Sequence, residues 1–237
     1  MSSMSHNESF WIHLEELRKR LFIIIFVLCF SSVIIYFFHD LLLTILIKPV
    51  DKLIFISPLE VFLTRIKVSL FGGLFLSLPV ILYNLWKFVI PACYEHEKKH
   101  FVFLILISFI LFVCGVLFAF YIVFPLVLDF LLGMGTESLV PFITFDKYIS
   151  FTIKFLIAFG LMFELPVILF YLVITNIISL NYLREKRKHA IIVIMIISAI
   201  LTPPDIFSQI MISVPTYLLF EISLLFAGYL KKEKTKK

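Results

Sequence analysis

Long apolar runs constrain this chain more than any other feature. Four of them, at residues 21–38, 68–86, 101–128 and 148–174, contain no more than two charged residues each. Each run approaches or exceeds the roughly 20 residues that an α-helix needs to cross a bilayer. Over the whole chain 62% of the residues are hydrophobic, which is more apolar surface than a soluble domain of this length buries. The sequence therefore predicts an all-α polytopic membrane protein.

The last apolar region, residues 190–230, is interrupted by Thr202-Pro203-Pro204-Asp205. A helix interior does not accommodate tandem prolines, because they lack backbone donors and clash with the preceding turn. We therefore predict a helical hairpin, with helices at about 190–202 and 206–230. The fifth helix is then too short for a full-thickness bilayer, and local thinning of the membrane is expected around it.

The distribution of positive charge predicts the orientation. If six helices alternate direction, segments 1–20, 87–100, 175–189 and 231–237 lie on one side of the membrane and hold 15 of the 21 Lys and Arg residues. The positive-inside rule places that side, with both termini, in the cytoplasm. The net charge of +5 therefore indicates membrane orientation rather than nucleic-acid binding.

We predict that residues 1–237 form a single domain. The first apolar run is too long for a cleaved signal peptide and is expected to remain as an anchor. On the exported side, two short interfacial helices at 41–47 and 59–66 are expected to cap the bundle. The six predicted membrane helices cover about residues 21–38, 68–86, 101–128, 148–174, 190–202 and 206–230.

The polar heptapeptide 94–100 allows three interpretations. His96 and His100, with Glu97 between them, have the spacing of a zinc protease. A catalytic zinc needs a third protein ligand, however, and no such motif follows, while Lys98-Lys99 places positive charge beside the metal. The second interpretation makes Glu97 a carboxylate presented at the membrane surface. The third makes it a solvated residue near the positive end of the next helix.

Glu16, just before the first membrane helix, is a second surface carboxylate of interest. At helical spacing it shares a face with His13 and Arg20, whereas Glu15 lies about 100° away. An intrahelical ion pair with Lys19 or Arg20 would be ordinary and weak. The functional alternative is that Glu16 converges with the heptapeptide carboxylate at the cytoplasmic surface. Two carboxylates there would suit guanidinium groups, which bind carboxylates through two hydrogen bonds.

Glu164 lies inside the fourth apolar run, about ten residues or roughly 15 Å from its cytoplasmic end. An ionisable group at that depth is costly and indicates a functional site. Pro166 is expected to kink the helix and free the carbonyl of Met162, which would give a concave wall with a polar spot. Two alternatives remain open: a protonated Glu164 satisfied by a neighbouring helix, and a proton site in a secondary transporter.

Enzymatic motifs are missing from the sequence. There is no Gly-x-x-x-x-Gly-Lys-Ser/Thr loop and no Gly-x-Ser-x-Gly elbow, so neither a nucleotide-driven motor nor a serine hydrolase is indicated. The three cysteines are scattered and offer no disulfide framework or metal-ligand spacing. We expect no catalytic residue, no metal and no cofactor.

Seven sequence blocks carry a family resemblance over nearly the whole chain. The first three are His13-Leu14-Glu15-Glu16-Leu17-Arg18-Lys19-Arg20-Leu21, Ser77-Leu78-Pro79-Val80-Ile81-Leu82-Tyr83 and Trp86-Lys87-Phe88-Val89-Ile90-Pro91-Ala92-Cys93-Tyr94-Glu95-His96-Glu97. The others are Ala158-Phe159-Gly160, Phe163-Glu164-Leu165-Pro166, Leu201-Thr202-Pro203-Pro204-Asp205-Ile206-Phe207-Ser208-Gln209 and Phe220-Glu221-Ile222. In this order they resemble the TatC family, the multispanning subunit of the twin-arginine protein translocase.

The resemblance implies a receptor and translocase core rather than an enzyme. Members of this family bind twin-arginine signal peptides at the cytoplasmic face and export folded proteins with the protonmotive force, without ATP. The matching binding positions are Glu16 and Glu97, with Arg18 and Phe88 in support. Glu164 matches a residue that faces the concave cavity of a glove-like bundle.

The resemblance also implies partners and a location. Single-span TatA- and TatB-type subunits, signal peptides of folded cargo proteins and the lipid bilayer are the expected partners, in a multi-copy complex of the bacterial inner membrane and without nucleic acid. The positions matching partner-helix contacts are Gln209, Met195 and Leu201. Pro49 and Asp205 match the exported-side cap and turn.

Overall fold

The computed structural model describes residues 2–50, 53–89, 101–133, 142–175, 177–201 and 206–234. Nearly all of them are helical, and the extended pairing among them is one isolated parallel bridge, between Ile54 and Thr144. The all-α prediction is confirmed. The helices are α1 (Ser2–Tyr36), α2 (His39–Ile47), α3 (Pro58–Val89), α4 (Phe101–Phe118), α5 (Phe124–Gly133), α6 (Phe145–Phe163), α7 (Leu165–Ile174), α8 (Leu180–Glu185), α9 (Arg187–Leu201) and α10 (Ile206–Lys234), with a π-helical turn at Ala119–Val123.

The described helices include five segments that are long and apolar enough to cross a membrane. They correspond to the first four predicted spans and the sixth, so the chain is a multi-pass membrane protein. The predicted fifth helix is present as α9, but its 15 residues are fewer than a span requires. The count of six spans therefore stays a prediction. The five segments are Leu14–Tyr36, Pro58–Phe88, Val102–Gly133, Phe145–Ile174 and Ile206–Tyr229.

The helices form two compact units. One comprises residues 1–51 and 55–109, and the other comprises residues 52–54 and 110–237. Each has a buried apolar core of its own. In the first unit the core includes Val68, Phe71, Leu78, Leu82 and Trp86, and in the second it includes Phe124, Ile149, Phe155, Phe159 and Leu224.

Two adjacent glycines of α3 bring this helix against α1. A Cβ on Gly73 would lie 2.7 Å from both the backbone N and the Cα of Ser32, and a Cβ on Gly72 would lie 2.7 Å from Ile35 Cγ2. Because Gly73 meets Ser32 and the preceding Gly72 meets the later Ile35, the two helices run antiparallel. The Ser32 hydroxyl donates to the Leu28 carbonyl at 2.7 Å, so this polar group is satisfied within α1.

The prediction of a separate interfacial helix at 59–66 is wrong, because these residues form the beginning of α3. Pro58 occupies the helix start, where a missing N–H carries no penalty. The Glu60 carboxylate accepts a hydrogen bond from the Ile56 N–H at 2.9 Å, which caps this end. The other predicted interfacial helix, 41–47, is present within α2.

The fourth predicted span is divided at Glu164, in agreement with the expected effect of Pro166. This proline lies in the first turn of α7 and has no N–H to donate to the Met162 carbonyl. The Glu164 N–H donates to the Leu161 carbonyl at 3.1 Å, and the Glu164 carbonyl accepts from the Ile168 N–H at 3.0 Å. The backbone of Glu164 is therefore satisfied at the break between α6 and α7.

The third predicted span, 101–128, contains a π-helical turn that the sequence analysis did not predict. The Phe124 N–H donates to the carbonyl of Ala119, five residues earlier. Pro125 follows directly, and its ring has no N–H to continue an ordinary α-helical ladder. The wider turn accommodates that missing donor.

Replacing Gly73 with Ala tests the close approach of α1 and α3. The added Cβ would overlap the Ser32 backbone, so we expect a loss of roughly 1–3 kcal/mol in stability and a lower thermal unfolding temperature in detergent. Gly133→Ala is the matched control, because no atom lies within 4 Å of a Cβ there. Equal unfolding temperatures for the two variants would contradict the proposed contact.

Candidate functional site

Glu16 and Glu15 on α1 are both paired within the helix, but in different surroundings. Arg20 donates from Nη2 to Glu16 Oε1, and the Arg20 side chain is only 11% exposed while that of Glu16 is 35% exposed. Lys19 lies 3.5 Å from Glu15 with both side chains mostly in solvent. The intrahelical pairing expected as the ordinary alternative is therefore present. Glu16 nevertheless differs from its neighbour because its guanidinium partner is buried.

The position of Glu16 along α1 coincides with the end of α3. Counting from the Ser32–Gly73 contact, Glu16 lies sixteen residues toward the N-terminus of α1, and Val89 lies sixteen residues toward the C-terminus of α3. Since the helices are antiparallel and both rise about 1.5 Å per residue, these two positions lie at the same level. Val89, the last residue of α3, therefore lies at the level of Glu16 along the helix pair.

Side-chain contacts position the last turn of α3. Trp86 is buried, and its Nε1 donates to the Ser108 hydroxyl of α4 at 3.0 Å. Lys87 Nζ lies 5.4 Å from the centre of the Tyr83 ring, within cation–π range. Phe88, in the same turn, is half-buried. Of the predicted supporting positions, Phe88 lies near the level of Glu16 because it directly precedes Val89.

Arg18 is exposed on α1, two residues from Glu16. Residues that are two apart on a helix point about 200° apart, so Arg18 does not share the Glu16 face. Glu97, with the neighbouring His96 and His100, lies outside the described residues. Among the residues that the structure describes, no group of three His, Cys, Asp or Glu side chains has a metal-binding arrangement.

Glu164 is buried at the break between α6 and α7, with only 6% of its surface exposed. Close helix contacts surround it. A Cβ on Gly115 would lie 2.8 Å from the Phe159 carbonyl oxygen, so α4 packs directly against this part of α6. On another side the Thr216 hydroxyl of α10 lies 2.9 Å from Met162 Sδ. The predicted intramembrane position of Glu164 therefore agrees with a buried site at a helix discontinuity.

The hairpin of α9 and α10 contains a row of polar side chains, which we call the polar ladder: Gln209, Ser213, Tyr217 and Glu221. They follow one another at intervals of four residues and therefore lie along one face of α10. Gln209 Nε2 donates to the Met195 carbonyl at 3.1 Å, and the Ser213 hydroxyl donates to Ser198 Oγ at 3.0 Å. Through Gln209 and Ser213, the ladder joins the two helices by hydrogen bonds.

The other two members of the ladder, Tyr217 and Glu221, form a charged contact with α9. Arg187, at the start of α9, donates from Nη2 to Glu221 Oε2 at 2.8 Å, and the Tyr217 hydroxyl donates to Glu221 Oε1 at 2.8 Å. Both carboxylate oxygens are therefore engaged, one by each helix. These two contacts of Glu221, which we call the clasp, hold the N-terminal end of the short α9 against the middle of α10.

A groove of about 290 Å³ runs along the outside of the same hairpin. Met195, one of the predicted partner contacts, lines it, and Gln209 donates to the Met195 backbone at its edge. Leu201 is half-buried at the last residue of α9. The walls are almost entirely apolar and consist of Ile191, Ile194, Met195, Ile210, Ser213, Val214, Tyr217 and Leu218.

The predicted cap residues are only partly described. Pro49 is exposed in a turn after α2, in which the Val50 N–H donates to the Ile47 carbonyl at 3.0 Å. Asp205 lies outside the described residues. In the second unit Ile54 pairs with the start of α6, accepting from the Phe145 N–H at 2.8 Å.

A family model described as Sec-independent protein translocase protein (TatC) matches residues 12–215, which is most of the chain. The chain belongs to the TatC family. Its curated relatives cover almost the same length. The TatC proteins of Carboxydothermus hydrogenoformans and Aquifex aeolicus are 41% and 42% identical over 94% of this chain and 93% and 96% of their own, and that of Escherichia coli K12 is 38% identical over 92% of this chain and 87% of its own.

Solved structures agree with the TatC assignment. Two crystal structures of a twin arginine translocase receptor, TatC, match with TM-scores of 0.84 and 0.81 at 40% and 41% identity. They cover 91% and 92% of this chain and 99% and 98% of theirs. The resemblance inferred from the sequence blocks is therefore confirmed. As a TatC, the chain is a subunit of a protein translocase and not an enzyme.

Sequence reasoning identified the ends of the polar ladder but not the ladder itself. Gln209 and Glu221 were recognised separately, whereas Ser213, Tyr217 and their partners on α9 were not. The interval of four residues between polar side chains, within an otherwise apolar run, was a signal that would have found them. The burial of Arg20 left no comparable signal, because an arginine at i+4 from a glutamate is ordinarily exposed.

Reversing charges across the clasp tests whether it holds α9. We expect Arg187→Glu to lower stability by roughly 1–2 kcal/mol, because it leaves two carboxylates facing each other, and we expect the double variant Arg187→Glu with Glu221→Arg to recover most of the loss. Thermal unfolding in detergent measures both. Lys19→Glu, at an exposed pair, should change stability by less than about 0.5 kcal/mol. A double variant no more stable than Arg187→Glu would contradict the clasp.

Proposed function

We infer that this TatC chain is the signal-peptide receptor and membrane core of a twin-arginine translocase. In this proposal Glu16 and Glu97 bind the two arginines of a signal peptide at the cytoplasmic face, and Phe88 and Arg18 support them. The observation that carries the proposal is the shared level of Glu16 and the end of α3. Glu97 follows Val89 by eight positions along the chain, and this short separation supports a position on the same side of the membrane as Glu16.

The contact between Arg20 and Glu16 supports guanidinium recognition. It demonstrates that a planar guanidinium fits this carboxylate at a partly buried position. Arginine is suited to such a site because its fork of N–H donors matches a carboxylate and its charge is weakly hydrated. Lysine presents a compact, strongly hydrated ammonium and cannot reproduce that geometry. Selection of twin arginine over twin lysine follows from this difference.

The proposed orientation places both termini in the cytoplasm of a bacterium, with the chain in the inner membrane. Basic residues concentrate in the segments that this orientation makes cytoplasmic, which supports it. Six membrane helices then form a glove-like bundle with Pro49 and Asp205 in its exported-side cap. Folded cargo crosses with energy from the protonmotive force and without nucleotide, in a complex with several copies of this chain.

The groove on α9 and α10 is the proposed contact for TatA- and TatB-type single-span subunits. It is apolar, as a lipid-facing helix partner requires, and the polar ladder runs along one side of it. Gln209, Met195 and Leu201 are the contacts we assign to these helices.

Glu164 is proposed to provide the polar spot of the membrane-embedded cavity. Its burial at a helix break also fits the alternative of a proton site in a secondary transporter. Membership in a protein translocase family favours the first role. The same membership argues against an intramembrane zinc protease at His96, Glu97 and His100.

Removal of one carboxylate tests the receptor site. We expect Glu16→Gln or Glu97→Gln to weaken binding of a twin-arginine signal peptide by about 2 kcal/mol, roughly 30-fold in the dissociation constant, because a guanidinium loses its charged partner. Glu15→Gln is the matched control and should bind as wild type does. Fluorescence anisotropy with a labelled peptide in nanodiscs measures the affinity.

A twin-lysine version of the peptide completes that experiment. We expect it to bind wild type weakly, and Glu16→Gln to weaken its binding far less than it weakens binding of the twin-arginine peptide. Equal affinities of the two peptides for wild type would contradict guanidinium recognition.

Photo-crosslinking tests the partner groove. A photoreactive amino acid at Met195 or Ile210 should crosslink to a single-span subunit in native membranes, because both residues line the groove. Leu225 is the control, since it is exposed on α10 outside the groove. Equal crosslinking from Leu225 would show that the groove has no preference for the partner.

A further inference from the structure

Three cations lie at the corner where α8 ends and α9 begins. We call them the basic corner: Arg184, Lys186 and Lys188. All are exposed, and none forms an ion pair with a side chain that the structure describes. Arg187, between them, differs because its charge is neutralised by Glu221 at 2.8 Å. Among the side chains that the structure describes, Glu185 is the carboxylate next to these cations; it is also exposed and leaves the corner with a net positive charge.

Two of these cations rest on uncharged surfaces that fix their positions. Arg184 Nη2 lies 3.2 Å from the point that a Cβ on Gly228 would occupy, so the guanidinium is seated in a notch of α10 that exists because residue 228 has no side chain. Lys186 Nζ lies 5.8 Å from the centre of the Tyr182 ring. Such contacts orient a cation without cancelling its charge.

The depth of the corner makes its uncancelled charge significant. The apolar span of α10 ends at Tyr229, one residue after Gly228, which Arg184 contacts. Glu221, which contacts Arg187, lies eight residues or roughly 12 Å further into that span. Cations within or beside the hydrocarbon layer are costly unless an anion or water reaches them. Arg187 has a protein anion, whereas the charges of the basic corner are open to water or to an anion from outside the chain.

Exposed apolar side chains adjoin the corner on both helices. Ile191, Ile192 and Val193 follow it directly on α9, and Phe226 and Tyr229 flank Gly228 on α10. An anion whose remainder is apolar therefore fits these surroundings best. A phospholipid has this construction, with a phosphate at the headgroup and acyl chains beyond it. Because the cations outnumber the carboxylate of Glu185, the site favours a headgroup of net negative charge.

We propose that the basic corner binds the phosphate of an anionic phospholipid, with Arg184 held in the Gly228 notch and Lys186 and Lys188 completing the site. The bound headgroup lies at the end of the α10 apolar span, where Arg184 meets Gly228. The lipid thus anchors the start of α9 at the membrane surface. This site does not depend on signal-peptide recognition.

Titration with phosphatidylglycerol tests the proposal. Native mass spectrometry of the full chain in detergent gives the dissociation constant of the first bound lipid, with phosphatidylcholine as the comparison. We expect wild type to prefer phosphatidylglycerol and the variant Arg184→Gln with Lys188→Gln to lose about fivefold in affinity per cation removed. The matched control, Lys48→Gln with Lys147→Gln, removes the same charge from two other exposed lysines and should retain wild-type affinity.

Gly228→Leu separates a built site from general charge attraction. It fills the notch and displaces the Arg184 guanidinium without altering the net charge, so we expect phosphatidylglycerol binding to weaken about as much as in Arg184→Gln. Thermal unfolding in phosphatidylcholine nanodiscs shows whether the variant remains folded. Equal weakening in the lysine control, or wild-type binding by a folded Gly228→Leu variant, would overturn the proposal.

Discussion

The absence of water in the hydrocarbon layer is the constraint on which the rest of this structure depends. Every backbone N–H and C=O in that layer needs a partner within the protein, and helices provide one for nearly all of them. Small polar side chains follow the same requirement. The hydroxyls of Ser32, Thr152 and Thr216 each donate to a carbonyl four residues earlier in their own helix. These residues are therefore compatible with spanning helices despite their polarity.

The proposed functional sites lie where a regular helix is interrupted or ends. Glu164 is placed at the junction of α6 and α7, where Pro166 removes a backbone donor. The polar ladder joins the short α9 to α10, and the basic corner lies where α8 ends and α9 begins. Glu16 lies level with the residue at which α3 ends. Departures from a regular spanning helix are thus the places where this chain acquires specific chemistry.

Much of the fold was predictable because it depends on local order along the chain. The apolar runs, the tandem prolines and the seven blocks indicated a TatC-type membrane protein, and the family model and solved structures agree. The early start of α3 was missed because polar and apolar residues alternate in 59–66, although nothing in that stretch interrupts a helix. The interval of four residues between the members of the polar ladder was readable from the sequence, but the α9 partners of Gln209, Ser213 and Glu221 were not.

The sequence by itself determined that the chain crosses a membrane as helices, that one of them breaks next to Pro166, and which family it belongs to. These properties follow from hydropathy, proline chemistry and residue order, all of which are local. Only the tertiary structure decided that Gly73 admits the Ser32 backbone, that Arg187 and Tyr217 share the carboxylate of Glu221, and that Gly228 seats Arg184. The contacts of Gly73, Arg187 and Gly228 join residues that are distant in the chain, and helix periodicity fixes the face of a residue but not the partner that meets it.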